Sequence, residues 1–433
     1  MVHFVLQTHP LFESHTGANI AEVLLEAVPQ WGLKKPNHCI AIVTDNARNM
    51  DVAVCEAGFE PHIKCFARTI NLATQAGLVV ARVARLLGRV RRVTAFFHRS
   101  STAAAVLTSK QKLLQLPPQK LIMDVTTRWN SSLDMLVRYL EQQAAIAAAL
   151  TSPEIRQNAR NIDTLDTCDI VNAEFLVKLL NPLKTATTVL CEEKRPTVSL
   201  IVPLKNMIEQ NMALNDSDSP TVADTKRAIL SNISGRYNGD IYNCLLESTA
   251  LDPRFQSLPQ LDCNQREAVF QRIQKRVEKL QQNQPTDEKS MERKEEASVH
   301  CSTHGGEGAL EAEGRAESEE EPASKKTALE DLLGDSFSKT EQPSKGIERE
   351  TELYRREASI PLSCCPLTWW RENSSKYPLL SPLVKEYLSI PATSVPSERV
   401  FSTAGDIVTA QRSQLLPENV DMLIFLKKNM TIS

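Results

Sequence analysis

The run Cys39-Ile40-Ala41-Ile42-Val43-Thr44, followed by Asp45-Asn46-Ala47-Arg48-Asn49-Met50, carries the strongest local signal in this 433-residue chain. A continuous apolar stretch bounded by polar residues suits a strand buried on both faces of a sheet. Asp45 stands just past it, at the carboxyl end where open α/β sheets place their ligands. A carboxylate there either contributes to a divalent-metal site or, with Asn46, caps the helix that follows, and spacing alone favours the cap. Working outward, Phe4-Val5-Leu6-Gln7 reads as a strand. Thr16-Gly17 caps a helix carrying Ile20, Val23, Leu24 and Ala27, with Pro29 to end it. Residues 47–56 read as a short helix and 62–65 as a third strand. Strand, helix, strand, helix, strand is an α/β pattern.

From about residue 67 to 283 the periodicity becomes helical. Residues 131–150 are the clearest case, with a stripe of Leu133, Leu136, Leu140 and Ala147 and an Ala-rich end. Further helices are expected at 173–193, 199–214, 222–237 and 265–282. Residues 284–347 hold 16 acidic against 8 basic residues, which leaves +5 on the remainder of a chain whose net charge is −3. That stretch cannot bury enough apolar surface to offset its ordering entropy, so it reads as a disordered spacer. Order is expected again near Pro366-Leu367-Thr368-Trp369-Trp370, with helices at 381–390, 396–403 and 417–429. Pro417 is well placed in a first turn.

Composition narrows the class. Hydrophobic residues make up 42%, enough for a sizeable core. No uncharged apolar run approaches the ~20 residues of a membrane helix, and the first residues do not read as a secretory signal. The ten cysteines are scattered without a disulfide-like spacing, which fits a reducing compartment.

Three groups of residues stand out for chemistry. His62 and Cys65, with Cys39 on a neighbouring strand, lack the second pair that a tetrahedral zinc site needs, and a packed thiol is the commoner use. Arg82, Arg85, Arg89 and Arg92 fall on one face of a helix beside an apolar face of Leu86, Val90, Val93 and Phe97. Such a row either meets nucleic-acid phosphates or is simply solvated. Asp124-Val125-Thr126-Thr127-Arg128-Trp129-Asn130-Ser131 places Trp129 in the core or as a platform for a displaced base, with Arg128 on the phosphate.

Four blocks in this order resemble the hAT transposase family. They are Thr44-Asp45-Asn46 with Cys65-Phe66-Ala67, then Thr127-Arg128-Trp129-Asn130-Ser131. Next come Ser397-Glu398-Arg399-Val400-Phe401-Ser402, and Asn419-Val420-Asp421 with Leu423. His98-Arg99-Ser100 and Leu140-Glu141-Gln142-Gln143-Ala144-Ala145-Ile146 resemble in particular the vertebrate domesticated branch of the zinc finger BED domain-containing protein 1 type. The resemblance implies a ribonuclease-H-like α/β core interrupted by a large all-α insertion, with C-terminal hAT dimerisation helices. On that plan residues 1–80 are the N-terminal part of the core and 81–283 the insertion. Residues 284–350 are a disordered acidic linker, and 351–433 are the dimerisation region that completes the core.

Active members of the family use three acids to hold two metals that flank the scissile phosphate. By motif match Asp45 would be the second and Glu398 the third, and Trp129 would stack on a flipped base. The first acid and the BED finger are not found in this sequence, and Arg68 stands where the family carries His. The resemblance therefore implies a vestigial pair, Asp45 and Glu398, no bound metal or cofactor and no strand transfer. Without the first strand, residues 4–7 would present an unpaired edge.

The expected function is a catalytically inactive, transposase-derived nuclear protein that forms a homodimer or a heterodimer with related hAT-derived proteins. Its apolar dimer contacts would be Val400, Phe401, Leu423, Phe425 and Leu426. DNA contact and a part in transcription regulation are implied through Arg82, Arg85, Arg89, Arg92, Arg128 and Trp129, weak without a finger. The alternatives are a dimerisation-only partner of finger-bearing paralogues, and a SUMO-ligase-like activity that the resemblance would allow.

Overall fold

Apolar side chains at helical spacing account for most of the secondary structure in the computed structural model, which describes residues 1–33, 40–282, 343–409 and 414–430. The strands among the described residues are β1 (Ile42–Thr44) and β2 (His62–Lys64), three residues each and paired in parallel with Val43 opposite Ile63. Helix α2 (Arg48–Ala57) forms the crossover between them, and α1 (Gly17–Gln30) packs on α2. Thr16 caps α1, its hydroxyl accepting from the Asn19 amide.

Among the described residues the protein is thus mostly helical with one two-stranded sheet, in place of the larger α/β core expected. Residues 4–7 form no strand. The N–H and C=O of Val5 are bonded instead to the side-chain amide of Asn429, at 2.9 and 2.7 Å. β1 is half-buried at Ile42 and Val43 and not enclosed on both faces as expected, and its strand neighbour among the described residues is β2. Cys39 lies outside the described residues.

The helices follow the apolar periodicity closely. α3 (Phe66–Leu78) and α4 (Ala81–Arg99) come first, and Leu86, Val90, Val93 and Phe97 of α4 all face the core. α5 (Ser101–Leu113) leads to the one interrupted helix. The stretch 131–150 divides into α6 (Trp129–Glu141) and α7 (Gln143–Leu150). Gln142 sits at the break with its side chain buried, accepting from Gln111 Nε2 at 2.9 Å. A buried amide has to be satisfied, and turning the chain there brings it to its partner.

Then follow α8 (Thr167–Leu190), α9 (Ile201–Asn211), α10 (Pro220–Ser234), α11 (Gly239–Ala250) and α12 (Cys263–Gln282). The C-terminal part holds α13 (Pro343–Arg356), α14 (Pro366–Glu372), α15 (Leu380–Leu388), α16 (Val395–Ile407) and α17 (Pro417–Asn429). Most of the acidic stretch lies outside the described residues. Its end is helical all the same, since Ile347 and Tyr354 of α13 are fully buried and make the helix part of the core.

α11 is the centre of this assembly. From Cys244 to Asp252 every residue is buried, so its polar groups must find partners inside the protein. The Glu247 carboxylate accepts from Arg272 and Arg276 of α12 at 3.0 and 2.8 Å and from the Tyr387 hydroxyl of α15 at 2.5 Å. The carbonyls of Ala250 and Leu251, left over at the helix end, accept from Tyr354 and Trp370 at 3.0 and 2.9 Å. Those two rings pack with Trp369 and Tyr377 in one aromatic cluster. The C-terminal part is in this way bonded into the helical part. Tyr387→Phe removes a donor from a buried carboxylate and is expected to lower stability by about 1.5–3 kcal/mol in a urea melt.

A second close contact joins α3 to α10. A Cβ built at Gly77 would lie 2.8 Å from Ile229 Cγ1 and 3.1 Å from Thr225 Cγ2, both on buried residues. Gly77→Ala would ordinarily favour a helix, but here overpacking is expected to win. The expected result is a net loss of about 1–2 kcal/mol by the same melt. Unchanged or greater stability would mean that the two helices separate freely.

Candidate functional site

Two hydrogen bonds made by the Ala392 backbone bring distant parts of the sequence together. Phe66 N–H donates to the Ala392 carbonyl at 2.9 Å, and Ala392 N–H donates to Thr197 Oγ1 at 2.9 Å. The first fixes the start of α3 against the loop that leads into α16. Cys65 is the N-cap of α3, its buried sulfur accepting from the Arg68 amide at 3.4 Å. The Thr127–Ser131 block is anchored by Asp124. Its carboxylate takes two bonds from the Arg91 guanidinium, at 2.9 and 2.7 Å, and one from Ser132 at 2.6 Å. Ser131 Oγ accepts from Val125 N–H at 2.8 Å, and Gln75 of α3 donates to the Thr126 carbonyl at 3.0 Å.

Between these elements lies an open groove of about 400 Å³. Its walls are Cys65, Arg68 and Asn71 from α3, Thr127 to Ser131 and Asp134 around the start of α6, Thr187 from α8, and Val395 and Glu398 from α16. Charge of both signs faces it, with Arg68, Arg128 and Glu398 all exposed. Asp134 is paired with Lys184. Asn130 contributes a buried Oδ1 that has no hydrogen-bond partner among the described residues. This is a polar, walled surface with donors and acceptors at hand.

The expected site residues divide between the groove and elsewhere. Arg128, Trp129 and Glu398 line it, and Asp45 does not. Asp45 Oδ1 accepts from the Ala47 amide at 3.1 Å, and the Asn46 side chain donates to Thr69 at 2.9 Å. Among the described residues, no cluster of three His, Cys, Asp or Glu side chains could hold a metal ion. Trp129 is only 2% exposed, so its ring packs in the core and has no open face for a base. His62 is engaged with Thr44 at 2.8 Å, and burial pushes its pKa below the ordinary value. Arg399 pairs with Glu193 and not with its neighbour Glu398.

The arginine row is also thinned. Arg82, Arg85 and Arg92 are exposed, whereas Arg89 is paired with Asp166 and Asp169 of the α8 N-terminus. Asp124, Arg91 and Asn130 are groove-building residues that the periodicity of the sequence does not single out. Asp124 and Arg91 meet only through the fold.

The hAT family C-terminal dimerisation region matches residues 350–430, and the ZBED1 RNase-like helical domain matches residues 63–173. The groove lies where the two matched regions meet, Cys65 to Asp134 on one side and Glu398 on the other. Both matched regions, and the relatives found along most of the chain, are similar to hAT-transposase-derived BED zinc finger proteins. It is 26% identical over 399 residues to the human zinc finger BED domain-containing protein 4, covering 90% of this chain and 31% of that protein. It is 23% identical over 456 residues to the zinc finger BED domain-containing protein RICESLEEPER 3 of Oryza sativa subsp. japonica, covering 99% and 56%. A shorter match of 61 residues, 14% of this chain and 8% of that protein, is 38% identical to a putative AC transposase of Zea mays. The chain spans about a third to somewhat over half of the first two relatives.

The Asp124 anchor has a pH signature. Burial pushes its carboxyl upward, but the bonds from Arg91 and Ser132 and the Arg91 charge outweigh this and hold it below the ordinary aspartate value. Its contribution is therefore present above the unfolded value of about 3.9 and lost as pH falls through the lower folded value. Asp124→Asn is expected to lower stability by about 1–3 kcal/mol at pH 7, with the difference from wild type shrinking below about pH 4. Urea melts at pH 7 and pH 3 check it.

Proposed function

We propose that this chain is a non-catalytic, transposase-derived nuclear protein that self-associates through its C-terminal helices and makes weak, sequence-tolerant contact with DNA. The observation that carries the reading is the apolar surface of α16 and α17, inside the matched dimerisation region. Phe401 is 67% exposed, Met422 60% and Leu426 42%, with Leu423 and Leu416 exposed beside them. Large apolar side chains grouped on one surface mark an interaction site. Of the five expected contacts, Phe401, Leu423 and Leu426 fit this role. Val400 is half-buried, and Phe425 turns inward to stack on Trp31 with ring centroids 6.2 Å apart.

On this reading β1, α2 and β2 are part of a ribonuclease-H-like core. Glu398 is the vestige of a metal-binding set whose second candidate, Asp45, is occupied with the Ala47 amide. Purified protein with Mg²⁺ or Mn²⁺ and a DNA end is expected to give no strand transfer, and turnover would overturn the non-catalytic part. Sedimentation should give a dimer at micromolar concentration, and Leu426→Asp should shift it to monomer.

A dimerisation-only role is favoured by one observation, the capture of Arg89 and Arg91 in internal ion pairs. The two readings part on DNA. If Arg82, Arg85 and Arg92 meet phosphates, changing all three to Glu should reduce the slope of log K against log salt by about 2–3. No measurable binding by the unmodified protein would leave dimerisation alone.

A further inference from the structure

The first residues of the chain lie along the last described helix. Val5 is held by both bonds to Asn429, and Asp421 Oδ1 accepts from the N–H and the hydroxyl of Thr8, at 2.5 and 2.7 Å. As the segment advances from Val5 to Thr8, its helix partners step back from 429 to 421, so it runs antiparallel to α17. Trp31 closes the same side, stacked on Phe425 and donating from Nε1 to Gln7 at 2.9 Å. Asp421, Phe425 and Asn429 recur every four residues and form one row on the helix. That row is the one the segment covers.

The next row round the helix is apolar and open. Met422 and Leu426 follow Asp421 and Phe425 by one residue each, a rotation of about 100°. The segment itself alternates: His3 and Val5 face inward, while Val2 and Phe4 are 62% and 63% exposed. In an extended chain, side chains two apart share a face. Val2 and Phe4 are therefore an outward pair on a segment fastened beside an open apolar row.

We infer that the N-terminal segment is a built part of the self-association surface, and that a second copy of this chain covers Val2 and Phe4 together with Met422 and Leu426. The inference rests on the dimer proposed above and extends it beyond the C-terminal region. Area supports it. Met422 and Leu426 span only about 6 Å of helix, whereas a stable interface takes about 800 Å² from each partner. The dimerisation helix needs apolar surface beside it, and the segment and Phe401 supply it. Asn429 and Asp421 are then positioning residues: they face the segment, not the partner, and act by holding it in place.

The experiment is sedimentation equilibrium of the whole chain with three variants. Val2→Ser with Phe4→Ser removes the outward pair, Asn429→Ala unfastens the segment, and Leu113→Ser at the exposed end of α5 is the control. The dimer constant is expected to weaken at least threefold in the first two and less than threefold in the control. A change below threefold in both of the first two, with circular dichroism unchanged, overturns the inference and leaves the C-terminal dimer standing. If the double variant does not fold, Asn429→Ala decides alone. A monomeric wild type at 50–100 μM, a range of about ten- to a hundredfold above a typical micromolar constant, would instead remove the dimer itself and this extension with it.

Discussion

Glu247 is the constraint around which the described structure is arranged. A carboxylate buried in the middle of a protein is tolerated only when charge and hydrogen bonding are both supplied. Arg272 and Arg276 supply the charge from α12 and Tyr387 supplies the remaining donor from α15. Burial and the nearby Glu247 charge in turn push the Tyr387 phenol far above its ordinary pKa, so it stays protonated and keeps donating. Helices separated by more than a hundred residues are thereby committed to one another. The helix that carries Glu247 then hands its own terminal carbonyls to Tyr354 and Trp370, which brings the matched dimerisation region into the same core.

The groove depends on this arrangement at one remove. Once α15 is fixed, the loop after it carries Ala392 to the start of α3, where the Phe66 amide is waiting. That contact sets Glu398 across from Arg128 and Cys65. None of these residues is close to the others in sequence, and each belongs to a separate block. The two matched regions thus meet in one spatial unit, with the helical match forming one wall and the dimerisation match the other.

Much of the helical architecture was legible in the chain before folding was considered. Pro417 opens α17 and Thr16 caps α1, because these are local chemistries with one physical reading each. The period-3.6 stripe of α4 specifies its buried face for the same reason. The failures were non-local. Residues 4–7 have strand-like composition, but Asn429 satisfies the backbone that a neighbouring strand would have taken. Gln142 interrupts a good helical pattern because its partner, Gln111, is brought to it by tertiary packing. In the groove, Arg128 and Glu398 could be nominated by their motifs. The pairing of Asp124 with Arg91 could not, since an ion pair across 33 residues leaves no periodic trace.

The tether between Val5 and Asn429 has a further meaning for how the chain is made. Its partners are separated by 424 positions, and those of Thr8 and Asp421 by 413. Contacts so distant close late, because everything between must first be arranged. During synthesis residues 5–8 have no docking site until Asp421 and Asn429 have been translated. At about 5–20 residues per second, Val5 and Thr8 wait roughly 20–90 seconds for these partners. The chain thus closes this contact among its last, and the backbone of Val5 is left to water until it does.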